Sequence, residues 1–413
     1  MSAEADIVII GAGAAGIGAA RGLAGTGLSV TLLEALPRIG GRAWTQRATG
    51  MPLDMGCEWL HSADRNPWTG IAEELGFEVR RAPTVWNSQY RDLGFARADR
   101  AAAQAAFDRW TARIHQAPPP GDCAADLLAP EDARWTPYIQ ALSGFISGAF
   151  LEQISVRDYA AYDAAATDLN WRLPAGYGTL IAAHLPKGAA LRLGVTVQSV
   201  SLAAGGVTLT TPEGTLRPRA VIVTVSTNVL AGDAIRWPQG LDPWRAAAVD
   251  LPLGRDEKLF LEILDDAPFA PDSHLLGDPL DATTATFNIR NFGWPVIECF
   301  LGADGARARS EAGEEAAFAC AIDQLAALMG TDVRRHLRPL TASDWSGTPS
   351  IGGGYSHALP GRSDSRAALA RPFEERLFFA GEATHRTDFS TAHGAYLSGL
   401  RAAGEAIAAL GAA

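Results

Sequence analysis

The sequence predicts an α/β fold: a Rossmann-type dinucleotide-binding domain assembled from separated stretches of chain, with an α+β substrate domain interleaved between them. Three observations predict it. The run from Asp6 to Ile10 ends in Gly-Ala-Gly-Ala-Ala-Gly and leads through the alanine-rich Ile17 to Ala24 into a second strand-like run, Ser29 to Leu33, which completes a strand-helix-strand unit. Strand patterns then give way and return near Leu191 and again at Leu377 to Ala380, so the sheet draws on distant segments. Finally, 413 residues, 47% hydrophobic and 20% charged, exceed one ordinary core and suit two domains.

In the first unit, Gly11, Gly13 and Gly16 lie between strand and helix, with Ala14 and Ala15 between the last two. Missing side chains there permit a tight turn, close approach of backbone to a pyrophosphate, and close helix packing, while the helix N-terminus faces the phosphate charge. Glu34 follows at the end of the second strand, 18 residues past Gly16, where a carboxylate accepts hydrogen bonds from the hydroxyls of an adenosine ribose. Gly40-Gly41-Arg42 then offers a second glycine turn and a fixed cation, suited to the second phosphate of a long dinucleotide.

From about Pro67 to Pro186 the chain is rich in Ala, Trp and charges at helical spacing, broken at Pro118 to Pro120 and at Gly176-Tyr177-Gly178, and reads as a mainly helical insertion. Strands are expected at Val195 to Leu202, Val207 to Thr211, Val221 to Val225, Lys258 to Leu264 and Val296 to Leu301. Alternation along the fourth of these points Lys258 inward, and a lysine is costly to bury without a role. An amphipathic helix is expected over Glu311 to Met329, a loop at Gly352 to Gly354, a strand at Leu377 to Ala380 running into Gly381-Glu382, and a terminal helix from about Thr391 to Leu410.

Composition narrows the function classes. A net charge of −11 argues against nucleic acid as a partner. The start Met-Ser-Ala-Glu-Ala-Asp has no basic region, and no stretch reaches the roughly 18 apolar residues of a membrane span, so a soluble, cytoplasmic protein without membrane contact is expected. Cys57, Cys123, Cys299 and Cys320 form no metal-ligand spacing and read as reduced, mostly buried thiols. The hydrolase, metalloprotease and kinase signatures GxSxG, HExxH, GxxxxGK[ST] and DFG are absent from the sequence.

These motifs, together with Asp54-Met55-Gly56-Cys57-Glu58-Trp59-Leu60-His61, Asn66-Pro67 and the terminal Thr391-Ala392-His393-Gly394-Ala395, resemble the flavin-containing amine oxidase family of monoamine oxidases, polyamine oxidases and histone-lysine demethylases. The resemblance covers most of the chain, is strongest at residues 6 to 76 and 375 to 408, and in the segment from Asp54 is closest to polyamine and spermine oxidases. It implies FAD as cofactor, contacted by Gly11, Gly13, Ala14, Ala15, Gly16, Glu34, Gly41, Arg42, Val197, Gly381, Glu382 and Ala392. It further implies that Lys258 reaches the flavin N5 through a water, that Trp345 lies beside the ring, that Tyr355 belongs to an aromatic substrate cage, and that His61 lines the substrate tunnel. Thr391 stands where many members place a second cage aromatic. Gly354 occupies the place of the flavin-attaching cysteine of monoamine oxidases, so the FAD is expected to be non-covalent. Glu58-Trp59 replaces the carboxylate-binding arginine of the amino-acid oxidases and leaves an acid that favours a cation.

The expected reaction is oxidation of a primary or secondary amine, polyamine favoured, to an imine that is hydrolysed to aldehyde plus amine, with O2 reduced to H2O2. An FAD-dependent amino-acid oxidase or desaturase, and a non-catalytic binding module of the same fold, are the competing readings. The partners expected are a small-molecule amine and O2, the chain being a monomer or homodimer. The FAD domain is expected over 1–75, 188–264 and 355–413, and the substrate domain over 76–187 and 265–354.

Overall fold

Two five-stranded sheets carry the fold of the computed structural model, which describes residues 5–203, 205–265 and 269–411; residues 1–4, read above for charge, lie outside them. In chain order the strands are β1 (Ile7–Ile10), β2 (Val30–Glu34), β3 (Ala190–Leu193), β4 (Ala220–Val223), β5 (Asp256–Ile263), β6 (Ser273–Leu276), β7 (Thr286–Ile289), β8 (Val296–Gly302), β9 (Leu337–Ala342) and β10 (Leu377–Phe379). The helices that matter below are α1 (Ala14–Leu23), α2 (Arg97–Ile114), α3 (Thr136–Ser147), α4 (Val156–Ala165), α5 (Ala303–Ala312), α6 (Glu314–Met329) and α7 (Ala392–Leu410).

The first sheet is parallel, in the order β10-β4-β1-β2-β3. Every residue of β1 and β4 is buried, as the central strands of a sheet covered on both faces must be. Ile7 and Ile9 pack with Ile222 and Phe378 under α1 and α7, while Val8 and Ile10 pack with Val221 and Val223 on the other face, the period of two expected of a strand. The first and last helices touch backbone to backbone: a Cβ on Gly18 would lie 2.3 Å from the Tyr396 carbonyl oxygen, and one on Gly399 would lie 2.1 Å from that of Ala15.

The second sheet is antiparallel, in the order β6-β7-β8-β5-β9. Leu259, Leu261, Phe287, Ile297 and Cys299 form its apolar face and pack against Phe318, Ala321 and Leu325 of α6. The opposite face of the same strands carries Lys258, Phe260, Asn288, Glu298 and Phe300, all but Phe300 buried there. Arg366 joins the two parts of the molecule. It is 2% exposed, holds both oxygens of Asp158 on α4 at 2.6 and 2.8 Å, and stacks 3.5 Å from the Phe389 ring centre.

Several expectations are revised. Residues 256–263, placed by sequence with the nucleotide part, form β5, which pairs with β8 and β9 in the second sheet. The run from Val195 enters a strand only at Ser199, since Val195 is held by the Glu34 carbonyl and Val197 lies in the loop. The helix expected over Glu311 to Met329 is two helices, α5 and α6, broken at Gly313, whose φ of +89° suits glycine. Only Cys299 of the four cysteines is buried, on the apolar face of the second sheet, and Cys320 is exposed. Among the described residues no helix is long and apolar enough to cross a membrane.

Candidate active site

The turn after β1 is shaped by absent side chains. Gly11 adopts φ +106°, and a Cβ there would lie 2.4 Å from Thr224 Oγ1; a Cβ on Gly16 would lie 2.0 Å from the Gly11 carbonyl oxygen. Gly13 caps α1 without a side-chain bond, so the first-turn N–H groups at Ala14 and Ala15 face a cavity of about 1270 Å³. Glu34 lines the same cavity, each oxygen already accepting one backbone N–H, from Ala12 and from Leu36, both at 2.8 Å. A carboxylate held in this way keeps a lone pair on each oxygen for a diol.

Gly40 and Gly41 turn at positive φ against Gly13, and Arg42 follows. Arg42 is a fixed cation, as its sequence context suggests: its guanidinium donates to the Gly354 carbonyl and to Glu382 Oε1, at 3.0 Å for the second, and so ties the first segment to the last. Glu382 also accepts from Ser356 and Ser390, and these contacts with Arg42 hold its carboxyl below the usual range despite burial. Gly381 has φ +139° with open space where a Cβ would project, and it borders the cavity. Thr391 caps α7, its Oγ1 accepting the Gly394 N–H at 3.0 Å, and it lines the cavity with Ala392; Val197 joins from the facing loop.

The cavity continues to the polar face of the second sheet. Lys258 is 6% exposed; its Nζ donates to Glu58 Oε2 at 2.5 Å, to Glu298 Oε1 at 3.1 Å and to the Asp54 carbonyl at 3.1 Å. Burial alone would lower the lysine, but the two carboxylates outweigh it and raise it, so it is an ammonium at neutral pH. Glu58 also receives Arg172 at 3.4 Å. The expectation that Glu58 is free to attract a cationic substrate is therefore overturned: it is neutralised from two sides by the protein's own cations.

Tyr355 borders the cavity, and its hydroxyl donates to the Phe145 carbonyl at 2.5 Å. Asp256 Oδ1 lies 2.9 Å from the same hydroxyl, and burial pushes the Asp256 carboxyl well above its ordinary value. Asp256 Oδ2 would lie 2.6 Å from a Cβ on Gly354. Trp345 is fixed by its indole N–H on the Met55 carbonyl at 3.1 Å and stands edge-on to Trp44. His61 Nδ1 meets Asn170 Oδ1 at 2.8 Å beside Trp86, and burial pushes its pKa down to about 4, which leaves it neutral.

All of the candidate residues except Gly16, which packs behind the turn, thus border one cavity. Sequence reasoning missed Asp256, Asn288, Glu298 and Arg172. The signal for Glu298 was present: in Val-Ile-Glu-Cys-Phe-Leu the carboxylate and Phe300 alternate with three core residues, the same pattern that singled out Lys258.

The cavity fits FAD, with a glycine cradle and a helix N-terminus for the pyrophosphate, Glu34 for the ribose, and open backbone at Gly381. The comparisons agree. A profile of the flavin containing amine oxidoreductases matches residues 14–407. Among similar sequences, polyamine oxidase 4 of Oryza sativa subsp. japonica is 28% identical across 97% of this chain and 88% of its own length, and polyamine oxidase 2 of Arabidopsis thaliana is 27% identical across 96% and 87%. Lysine-specific histone demethylase 1B of Mus musculus is 26% identical across 96% of this chain and 52% of its own. Among solved structures, wild-type putrescine oxidase bound to putrescine superposes with a TM-score of 0.75 at 19% identity, covering 98% of this chain and 99% of that one. The chain therefore belongs to the flavin-containing amine oxidoreductases and is an FAD-dependent oxidoreductase acting on the carbon-nitrogen bond of amines.

Proposed function

We propose that the protein oxidises an aliphatic di- or polyamine at a primary or secondary amine carbon, holds FAD non-covalently, and passes the electrons to O2. The observation that carries the reading is the single cavity in which Lys258, Tyr355 and Trp345 face the space left by the glycine cradle. FAD supplies the two-electron acceptor. The chain supplies the rest. The N-terminus of α1 and Glu34 bind the adenosine diphosphate end, and the N-terminus of α7 favours negative charge at the other. Lys258 brings a fixed ammonium to the cavity, Tyr355 and Trp345 give an aromatic wall suited to an amine, and neutral His61 offers a hydrogen bond without repelling a cation. The protein's task is to position the amine carbon and keep water from it until the imine has formed.

Non-covalent FAD is supported at Gly354, where a cysteine would need the space taken by Asp256. The polyamine class is supported by the relatives named polyamine oxidases, which align over nearly the whole chain. An amino-acid substrate is disfavoured because the cations beside Glu58, Lys258 and Arg172, are already paired with its carboxylate.

Anaerobic mixing of the purified yellow protein with spermine, spermidine, putrescine, aromatic monoamines and amino acids tests the reading. Bleaching near 450 nm by the polyamines, with peroxide on admitting air, is expected. Bleaching only by amino acids, or by nothing while FAD stays bound, overturns it.

A further inference from the structure

Behind Lys258 lies a second, smaller cavity of about 30 Å³, room for one or two waters. Asp54, Glu58, Arg172, Asn288 and Glu298 are among its walls, and Glu58, Asn288 and Glu298 also line the main cavity. These three side chains are thus a thin polar partition between the amine site and a separate pocket. The sheet register explains the arrangement: His274, Asn288, Glu298 and Phe260 form one row across β6, β7, β8 and β5, and Lys258 stands two residues along from Phe260 on the same face.

Glu58 and Glu298 both reach the one ammonium, at 2.5 and 3.1 Å. Two buried carboxyls that converge on one ammonium favour keeping one proton between them, because like charges this close do not both ionise readily. We propose that Glu298 is a positioning residue for amine oxidation: the Glu58–Glu298 pair shares one proton, exchanged with solvent through the small cavity, and that proton sets whether Lys258 faces the amine site beside one negative charge or two. This rests on the amine-oxidase reading. Releasing the proton to water in the small cavity moves no electron.

The groups facing the pair decide which carboxyl keeps the proton. Lys258 on β5 touches both; Arg172 touches Glu58 alone and also lies 3.7 Å from Asp272; the Asp54 carboxyl sits on the Glu58 side. From β7 only the uncharged Asn288 approaches Glu298, at 3.5 Å, with the neutral His274 beyond it. Two cations against one make Glu58 the ionised partner. Burial and the Glu58 charge push Glu298 up to about 8.

Infrared difference spectra of the FAD-loaded protein, recorded without substrate across that pH, test the proposal. In the wild type the carbonyl band of an un-ionised carboxyl should disappear as pH rises through about 8, and Glu298→Gln should lack it. Glu58→Gln removes the like charge, so Glu298 beside Lys258 should then be ionised already at neutral pH. In anaerobic mixing with a reactive amine, the limiting rate of bleaching should change about tenfold through the same pH in the wild type and stay level in Glu298→Gln. A wild type without a carboxyl band that titrates near pH 8, a band titrating there that persists in Glu298→Gln, or an unchanged rate limb in that variant overturns the proposal. The infrared outcomes need no amine to be turned over, so they are independent of failure of the polyamine reading, which shows as flavin that stays yellow with every polyamine.

Discussion

At Gly16 a single methyl group separates a nucleotide cradle from a clash. Its Cβ would fall 2.0 Å from a backbone oxygen of Gly11, which has no side chain to swing aside. Gly16→Ala should therefore push α1 off the turn, and the purified variant should lack most of its absorbance near 450 nm while keeping its helical circular dichroism. Retention of stoichiometric FAD would contradict the cradle. Lys258 makes the complementary case, since it is needed by its neighbours as well as by the amine site. Lys258→Met leaves the Glu58–Glu298 pair with Arg172 alone, and removing one partner of a buried ionic cluster costs about 3–5 kcal/mol. Thermal unfolding should record that loss in Lys258→Met, with anaerobic reduction slowed as well; an unchanged midpoint would mean the pair relaxes by taking up protons. The glycines were legible because a motif at a strand end dictates their backbone, and Lys258 because alternation aims it inward. The partners of Arg42 and Lys258 were not. Glu382 lies 340 residues from Arg42 and Glu58 lies 200 from Lys258, and no local spacing encodes such pairs.

Between elements, α1 and α7 show how the two ends of the chain build one cofactor site. Gly18, Gly22 and Gly399 let the helices approach until side-chain carbons on one would meet backbone or Cβ atoms of the other. Because α7 also presents Thr391 and Ala392 to the cavity, their separation sets the width of the site. Gly399→Ala puts a Cβ 2.1 Å from the Ala15 carbonyl oxygen, and overpacking of this kind costs about 1–3 kcal/mol. Gly404, on the same helix, has open space around its would-be Cβ, so Gly404→Ala should gain about 0.5–1 kcal/mol from helix propensity. Urea unfolding of the two variants should give opposite signs, and FAD affinity should fall only in Gly399→Ala. Equal effects would mean that the helices are not in close contact. Sequence periodicity found both helices. Which glycines were contacts and which were merely tolerated was invisible, because that depends on what the facing helix brings to each position.

Across the whole molecule, buried titratable groups of opposite tendency set the stability against pH. His61, His274 and His357 are pushed down to about 4, chiefly by burial, from an ordinary value of 6.5. Between these limits the unfolded chain binds more protons than the folded one, so these histidines contribute stability that is complete above pH 6.5 and is lost as pH falls toward 4. Asp54, raised by burial to about 6, and Glu298, raised to about 8, act the other way: the folded state holds their protons, and that stability is lost as pH rises through the folded values. Below pH 6.5 the two sets oppose each other and the acid limb is shallow. Above 6.5 the histidines are neutral in both states, and Asp256, also raised by burial, only adds to the loss carried by Glu298. Stability should therefore decline from pH 6.5 to 8, by roughly 2 kcal/mol from Glu298 alone. In Glu298→Gln the decline should shrink, because glutamine has no proton to release. Urea midpoints of the FAD-loaded protein at half-unit steps of pH measure this directly, and a wild-type midpoint that climbs across the window would show that Glu298 is ionised in the folded protein and that Lys258 stands between two full charges.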